Sequence, residues 1–155
     1  MEQNRTLHLS LKKEWFDMII FRVKKEEYRE GKLYWMDRLT KLIDFRRVHN
    51  QYDFIEFTLG YPAKGDTDRR AIFKCEGITY DYGNPEWGAP YTRKVFIIKI
   101  GERIAFCHTC GQSTPYENVC EICGEHYCDE CSAVYDQFNQ IDYNCCSGCA
   151  SRERD

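Results

Sequence analysis

The sequence predicts an α+β chain in two parts. A small β-barrel with flanking helices fills residues 1–104, and a compact cysteine-built module fills residues 105–155. Three observations carry this. Nine of the ten cysteines lie after residue 104, and Cys75 alone lies before it. Charge divides at nearly the same place: residues 1–100 carry 19 Lys and Arg against 15 Asp and Glu, net +4, while residues 101–155 carry 3 against 10, net −7. Both helical and strand periodicities occur before residue 104, helices early and strands late. Hydrophobic residues at 43% and aromatics at 15% suffice for a core, which excludes a disordered chain. Halves of opposite sign point to different partners.

The elements follow in order. "TLHLSL" alternates Leu7, Leu9 and Leu11 on one face, as a half-buried strand does. "KKEWFDMIIF" spaces Trp15, Phe16, Ile19 and Ile20 for one face of a helix. "KKEEYRE" reads as a strand, and "YWMDRLTKLIDF" as a second helix. Three more strands are expected in "DFIEFTLGY", "AIFKCEGITYDYG" and "RKVFIIKIG", with loops at "YPAKGD" and "GNPEWGAPY". Cys75 alternates with Phe73 and is expected to be a buried core thiol.

The start, "MEQNRTLHLSLKKEW", has no apolar core of a signal peptide, and no apolar run reaches membrane-spanning length. A soluble cytoplasmic protein with no membrane partner is expected. In that compartment clustered cysteines bind metal more often than they form disulfides.

After residue 104 come four Cys-x-x-Cys pairs: Cys107/Cys110, Cys120/Cys123, Cys128/Cys131 and Cys146/Cys149. Two intervening residues let both thiolates reach one tetrahedral Zn²⁺, so eight ligands make two structural zinc sites. Gly111 and Gly124 follow the second cysteines of their pairs, which suits a knuckle turn with positive φ. Eight thiolates leave no open position for a catalytic zinc. Ligation can run sequentially, first pair with second, or interleaved, first with third. Cys145 adjoins Cys146 and is an alternative ligand; His108 and His126 are read as bystanders.

The order of the pairs resembles the interleaved zinc modules of the FYVE and RING kind over roughly residues 105–150. That resemblance implies interleaving: Cys107, Cys110, Cys128 and Cys131 on one ion, and Cys120, Cys123, Cys146 and Cys149 on the other. A ubiquitin-ligase role is open to any such module. Lipid-binding FYVE domains carry a basic run near the third cysteine. Here that place holds Glu117, Glu121 and Glu125. An acidic module, made more so by two tetrathiolate ions, repels phosphate and is expected to dock a protein partner.

The first half resembles the ASCH domain, of the PUA-like β-barrel superfamily, over roughly residues 5–104. The signature G-x-K-x-x-E-x-R falls on Lys24, Glu27 and Arg29, with Arg22 at the glycine position, and "FIIKIG" resembles the closing strand. The resemblance implies a basic barrel mouth that binds RNA, a nucleotide or a modified base, in a protein of phage or bacterial kind. By strand period Glu27, Arg29 and Lys25 share a face, while Lys24 and Tyr28 do not unless the strand's start carries Lys24 across. Lys and Arg with a carboxylate make an anion site. Arg22, Lys24, Lys25, Glu27, Tyr28 and Arg29 are the candidate ligand-binding residues, with Trp87 to stack a base; Trp35 and Tyr82 are further aromatic candidates. The blander reading is a solvated strand edge.

No Thr or Ser lies between Lys24 and Arg29, which argues against the amidohydrolase activity of small ASCH proteins. Two alternatives to the binding protein remain: a ribonuclease using Lys24 and Tyr28 for proton transfer, with His8 the nearest histidine, or a protein-interaction or inhibitor protein.

Overall fold

The computed structural model describes residues 5–132 together with Cys146 and Cys149. The chain divides into two compact units, residues 1–102 and 103–155. The elements of the first unit begin with β1 (Thr6–Leu11), α1 (Lys13–Ile20), β2 (Glu26–Glu30) and α2 (Leu33–Leu39). They continue with β3 (Thr40–Ile43), β4 (Arg46–His49), β5 (Phe54–Leu59), β6 (Arg70–Asp81), a 3₁₀ turn at Pro85–Trp87 and β7 (Val95–Phe106), whose last residues enter the second unit.

The sheet is mixed and curls into a half-barrel. Its order is β1-β5-β6-β7-β2, with β1 parallel to β5 and β2 antiparallel to β7. The hydrogen-bonded path does not close between β1 and β2, so an open seam stands where the sequence predicted a full barrel. Leu7, Leu9 and Leu11 of β1 face inward, in register with Ile55, Phe57 and Leu59 of β5. Phe57 and Phe73 meet edge-on at 5.8 Å in the fully buried centre. α1 buries Phe16 and Ile19 against this core, as its periodicity predicts. Cys75 packs half-buried at the core's margin, and burial pushes its thiol above the usual range.

Strand β7 is buried continuously from Val95 to Ile98 because both of its faces are covered. Phe96 and Ile98 join the inner core, while Val95 and Ile97 join an outer cluster with Tyr28 and Ala89. Gly83 is required there: a Cβ would stand 2.5 Å from the Tyr28 ring.

Two local features go beyond the expected elements. The second helix stops at Leu39, well short of the apolar pattern's end, and the chain turns into a β3–β4 hairpin. Thr40 and Ile43 are β-branched, and Thr40 back-bonds through its hydroxyl to the Met36 carbonyl, which closes the helix. The hairpin loop is the two residues Asp44 and Phe45, both left-handed at φ 50° and 64°. That is the geometry of a turn that favours Asn-Gly. A non-glycine residue there costs about 1–2 kcal/mol.

The second feature is the end of α1. Val23 N–H bonds to the Met18 carbonyl at 2.9 Å and Arg22 N–H to that of Ile19 at 3.1 Å, a Schellman cap. Its left-handed residue is Arg22, at φ 62°, the position where the ASCH pattern has glycine. We expect Arg22→Gly to stabilise the chain by up to about 1 kcal/mol, since the left-handed penalty disappears. Urea unfolding reads this directly; a lower midpoint would show that the guanidinium over the Phe73 ring, 5.3 Å away, contributes more than the strain costs.

Candidate functional site

The charged residues around β2 separate into an interior group and a cleft. Lys24 lies just before the strand, and the chain's exit from the cap carries it inward. It is 1% exposed. Its Nζ donates to the Trp87 carbonyl at 2.7 Å and to Glu27 Oε1 at 3.2 Å, and it sits 4.2 Å from the Trp15 ring centre. Burial lowers the amine's pKa below the usual lysine range; the Glu27 charge opposes that shift. Glu27 Oε1 also accepts from the Tyr28 N–H at 2.9 Å and pairs with Arg29 at 3.5 Å. Its Oε2 is buried with no hydrogen-bond partner. Tyr28 packs in the outer cluster, where its hydroxyl donates to Glu26 and accepts from the Asn84 N–H. Burial pushes its phenol above the usual range.

Arg29 links the interior to the surface. Its guanidinium donates across the open seam, to the Tyr28 carbonyl on β2 at 2.9 Å and to the Ser10 carbonyl on β1 at 3.2 Å. It lies 5.1 Å from the Trp35 ring centre. On its outer side the seam opens into a cleft of about 530 Å³. Arg29, Arg38, Tyr34, Trp35 and Tyr61 line it. Arg38 donates to the Tyr34 hydroxyl at 3.1 Å and to the His8 carbonyl at 2.8 Å. Tyr34 and Tyr61 are 64% and 95% exposed, so their ring faces are open to a ligand. Each guanidinium retains unused donors.

Thus Lys24, Glu27 and Arg29 are brought together as a charged cluster, but only Arg29 reaches the cleft. Lys24 and Tyr28, the proton-transfer candidates, are engaged inside the fold. Trp87 contributes its carbonyl to Lys24 and its ring to the outer cluster. Arg22 and Lys25 are exposed and do not line this cleft. Sequence reasoning missed Arg38, Tyr34 and Tyr61. The first two stand at i and i+4 on α2, a spacing that places them on one helical face.

In the second unit, Ser113–Pro115 forms β8 against the end of β7. The eight paired cysteines fall into two groups whose sulfurs lie within 4.8 Å of one another: Cys107, Cys110, Cys128 and Cys131, and Cys120, Cys123, Cys146 and Cys149. The first pair joins the third and the second joins the fourth. Each group could hold one metal ion. The Sγ separations of 3.5 Å for Cys110–Cys128 and 4.0 Å for Cys123–Cys146 bracket the ~3.8 Å edge of a tetrahedron with ~2.3 Å metal–sulfur bonds. They are far from the ~2.05 Å of a disulfide. Cys146 supplies its sulfur to this arrangement; Cys145 lies outside the described residues.

Knuckle turns hold the first two pairs together. Gly111 and Gly124 take φ 78° and 76°, and their N–H groups bond to the Cys107 and Cys120 carbonyls. Further N–H groups point at sulfur: Thr109 at Cys107, and Cys123 and Cys146 at Cys120. Burial opposes ionisation of Cys107 and Cys120, yet the surrounding backbone N–H groups bring both down to about 6. That shift favours the thiolate, the form that ligates. The buried cluster of this unit among the described residues is five cysteines and Tyr127, so its interior is a ligand set rather than a hydrocarbon core. Glu117, Glu121, Glu125, Asp129 and Glu130 are exposed around it.

Comparison with protein-family models, curated proteins and solved structures finds no match to this chain. Among the described residues, no helix is long and apolar enough to cross a membrane.

Two outcomes are expected. Metal analysis of the interleaved groups should show one equivalent lost in Cys110→Ser/Cys128→Ser and two in Cys110→Ser/Cys120→Ser; sequential ligation reverses that order. Lys24→Ala should cost about 3–5 kcal/mol in urea unfolding, because it removes the nearest counter-charge of the buried Glu27 carboxylate, whereas Lys24→Met/Glu27→Gln should recover most of that loss.

Proposed function

We propose that the first unit is an ASCH-type, PUA-like domain that binds single-stranded nucleic acid, RNA foremost, in the cleft at the β1–β2 seam. We read the second unit as a zinc-built module that docks a protein partner through its acidic surface. The observation that carries the first reading is the cleft's lining: two guanidinium groups beside the open rings of Tyr34 and Tyr61 and the edge of Trp35. Guanidinium groups pair with phosphate bidentately, and aromatic faces stack bases with little regard to sequence. The net +4 of residues 1–100 attracts a polyanion.

Zinc is the metal that four thiolates in a closed tetrahedral set favour in a structural site. Cys110 and Cys123 are exposed, but each belongs to a complete set of four, which leaves no coordination position for a substrate. The ion's part is therefore to hold the fold, at roughly 10–16 kcal/mol per site in peptide systems. The acidic residues around it disfavour phosphate and favour a basic or polar protein surface.

Fluorescence anisotropy with short single-stranded RNA tests the cleft. Affinity should fall about 20-fold between roughly 50 and 200 mM salt if about three phosphates are neutralised. Tyr34→Ala/Arg38→Ala should weaken binding roughly tenfold or more with the fold intact. Salt-insensitive binding, or an unchanged affinity in that variant, would remove the cleft from the interface.

A further inference from the structure

The β3–β4 hairpin is the most exposed element of the first unit. From Lys41 to His49 every residue is open to solvent. Leu42, Ile43 and Phe45 are 65%, 47% and 102% exposed, which is costly in water. Phe45 stands at the tip with a left-handed backbone, where glycine or asparagine would sit without strain. An exposed, strained aromatic residue has no structural purpose in the isolated chain, and such strain gathers at ligand-binding positions. Lys41 and Arg46 flank the tip and make no salt bridge among the described residues. Arg47 is tied to the Thr40 hydroxyl at 2.9 Å, so it braces the hairpin. Asp44 is the sole acid of the loop.

We propose that this hairpin is a stacking finger. Phe45 stacks on a base of single-stranded nucleic acid whose neighbouring nucleotides lie in the cleft, and Lys41 and Arg46 hold the adjoining phosphates. The inference rests on the nucleic-acid reading above and extends it. The geometry that points to it is the continuity of α2 and β3. Tyr34, Trp35 and Arg38 face the cleft from α2, and the chain passes from Leu39 directly into the hairpin. Four strand residues at ~3.3 Å each keep the tip within about 13 Å of the helix end, a span of about two extended nucleotides. The three cations around one acid match a phosphate backbone, and a planar ring at the tip matches a base. A protein partner would bury the same apolar residues but gives no reason for the free cations beside them.

The test compares the full chain with Phe45→Ala, Phe45→Gly and Phe45→Trp. Each is titrated into single-stranded RNA of about two and about ten nucleotides, the longer one carrying 2-aminopurine. The cleft alone can hold the short RNA; the longer one can also reach the tip. Phe45→Ala and Phe45→Gly should bind the long RNA roughly tenfold more weakly, bind the short RNA as the parent does, and lose the 2-aminopurine quenching. Phe45→Trp should keep both affinity and quenching. Phe45→Gly should melt no lower than the parent while binding less well, which a structural role for the ring would not produce. Parent-like affinity and quenching in Phe45→Ala would overturn the finger, leave the cleft standing and turn the hairpin over to a protein partner. Equal weakening on both lengths would also overturn it, since Phe45 would then act through the shape of the cleft. If the parent binds neither RNA, the cleft reading fails and the finger with it.

Discussion

A curled sheet whose edge strands do not pair leaves two rows of backbone groups facing each other across a gap. In this protein that gap lies between β1 and β2, and the Arg29 guanidinium spans it with one donor on each strand. The arrangement depends in turn on Glu27, which neutralises Arg29 from beneath, and on Lys24, which neutralises Glu27 and ties it to the Trp87 carbonyl. One buried carboxylate thus connects the strand, the end of α1 and the 85–87 turn. The open seam is also what makes a cleft possible, because a closed barrel would put strand backbone where the guanidinium and the rings of α2 now stand.

Buried ion clusters of this kind are weak sources of net stability, since desolvation offsets most of the attraction. Their effect is conformational choice. Lys24 could in principle extend to solvent, as Lys25 does, but the Schellman cap and the left-handed Arg22 direct it inward. Strain at Arg22 and charge burial at Lys24 are therefore parts of one local design. The interior face fixes the position of Arg29, and the cleft receives that position ready-made.

The second unit is governed by different physics. Its buried cluster is cysteine with a single tyrosine among the described residues, and thiols without a metal offer little cohesion. A metal ion held by each group of four would supply what burial supplies in the first unit. That distinction also bears on its surface: an interior built of cysteines needs few apolar residues, so the outside is free to carry Glu117, Glu121, Glu125, Asp129 and Glu130.

The sequence determined much of this directly. Leucine alternation set β1, helical spacing set the buried face of α1, and the Cys-x-x-Cys-Gly spacing set which sulfurs can meet at a knuckle, because each of these is a local period or a local turn. Lys24, Glu27 and Arg29 stood out as charged residues at strand spacing. Their division into an interior pair and a cleft arginine did not, since it depends on Trp15, Trp87 and Ser10, which lie on other elements. The end of α2 was hidden by an apolar pattern that continues smoothly into β3, and only the hairpin partner Arg46–His49 breaks it. Whether the sheet closes, which side of it stays open and where Tyr61 meets Arg38 follow from the pairing of β1 with β5 across forty-odd residues. Local periodicity carries no information at that range; tertiary packing decides it.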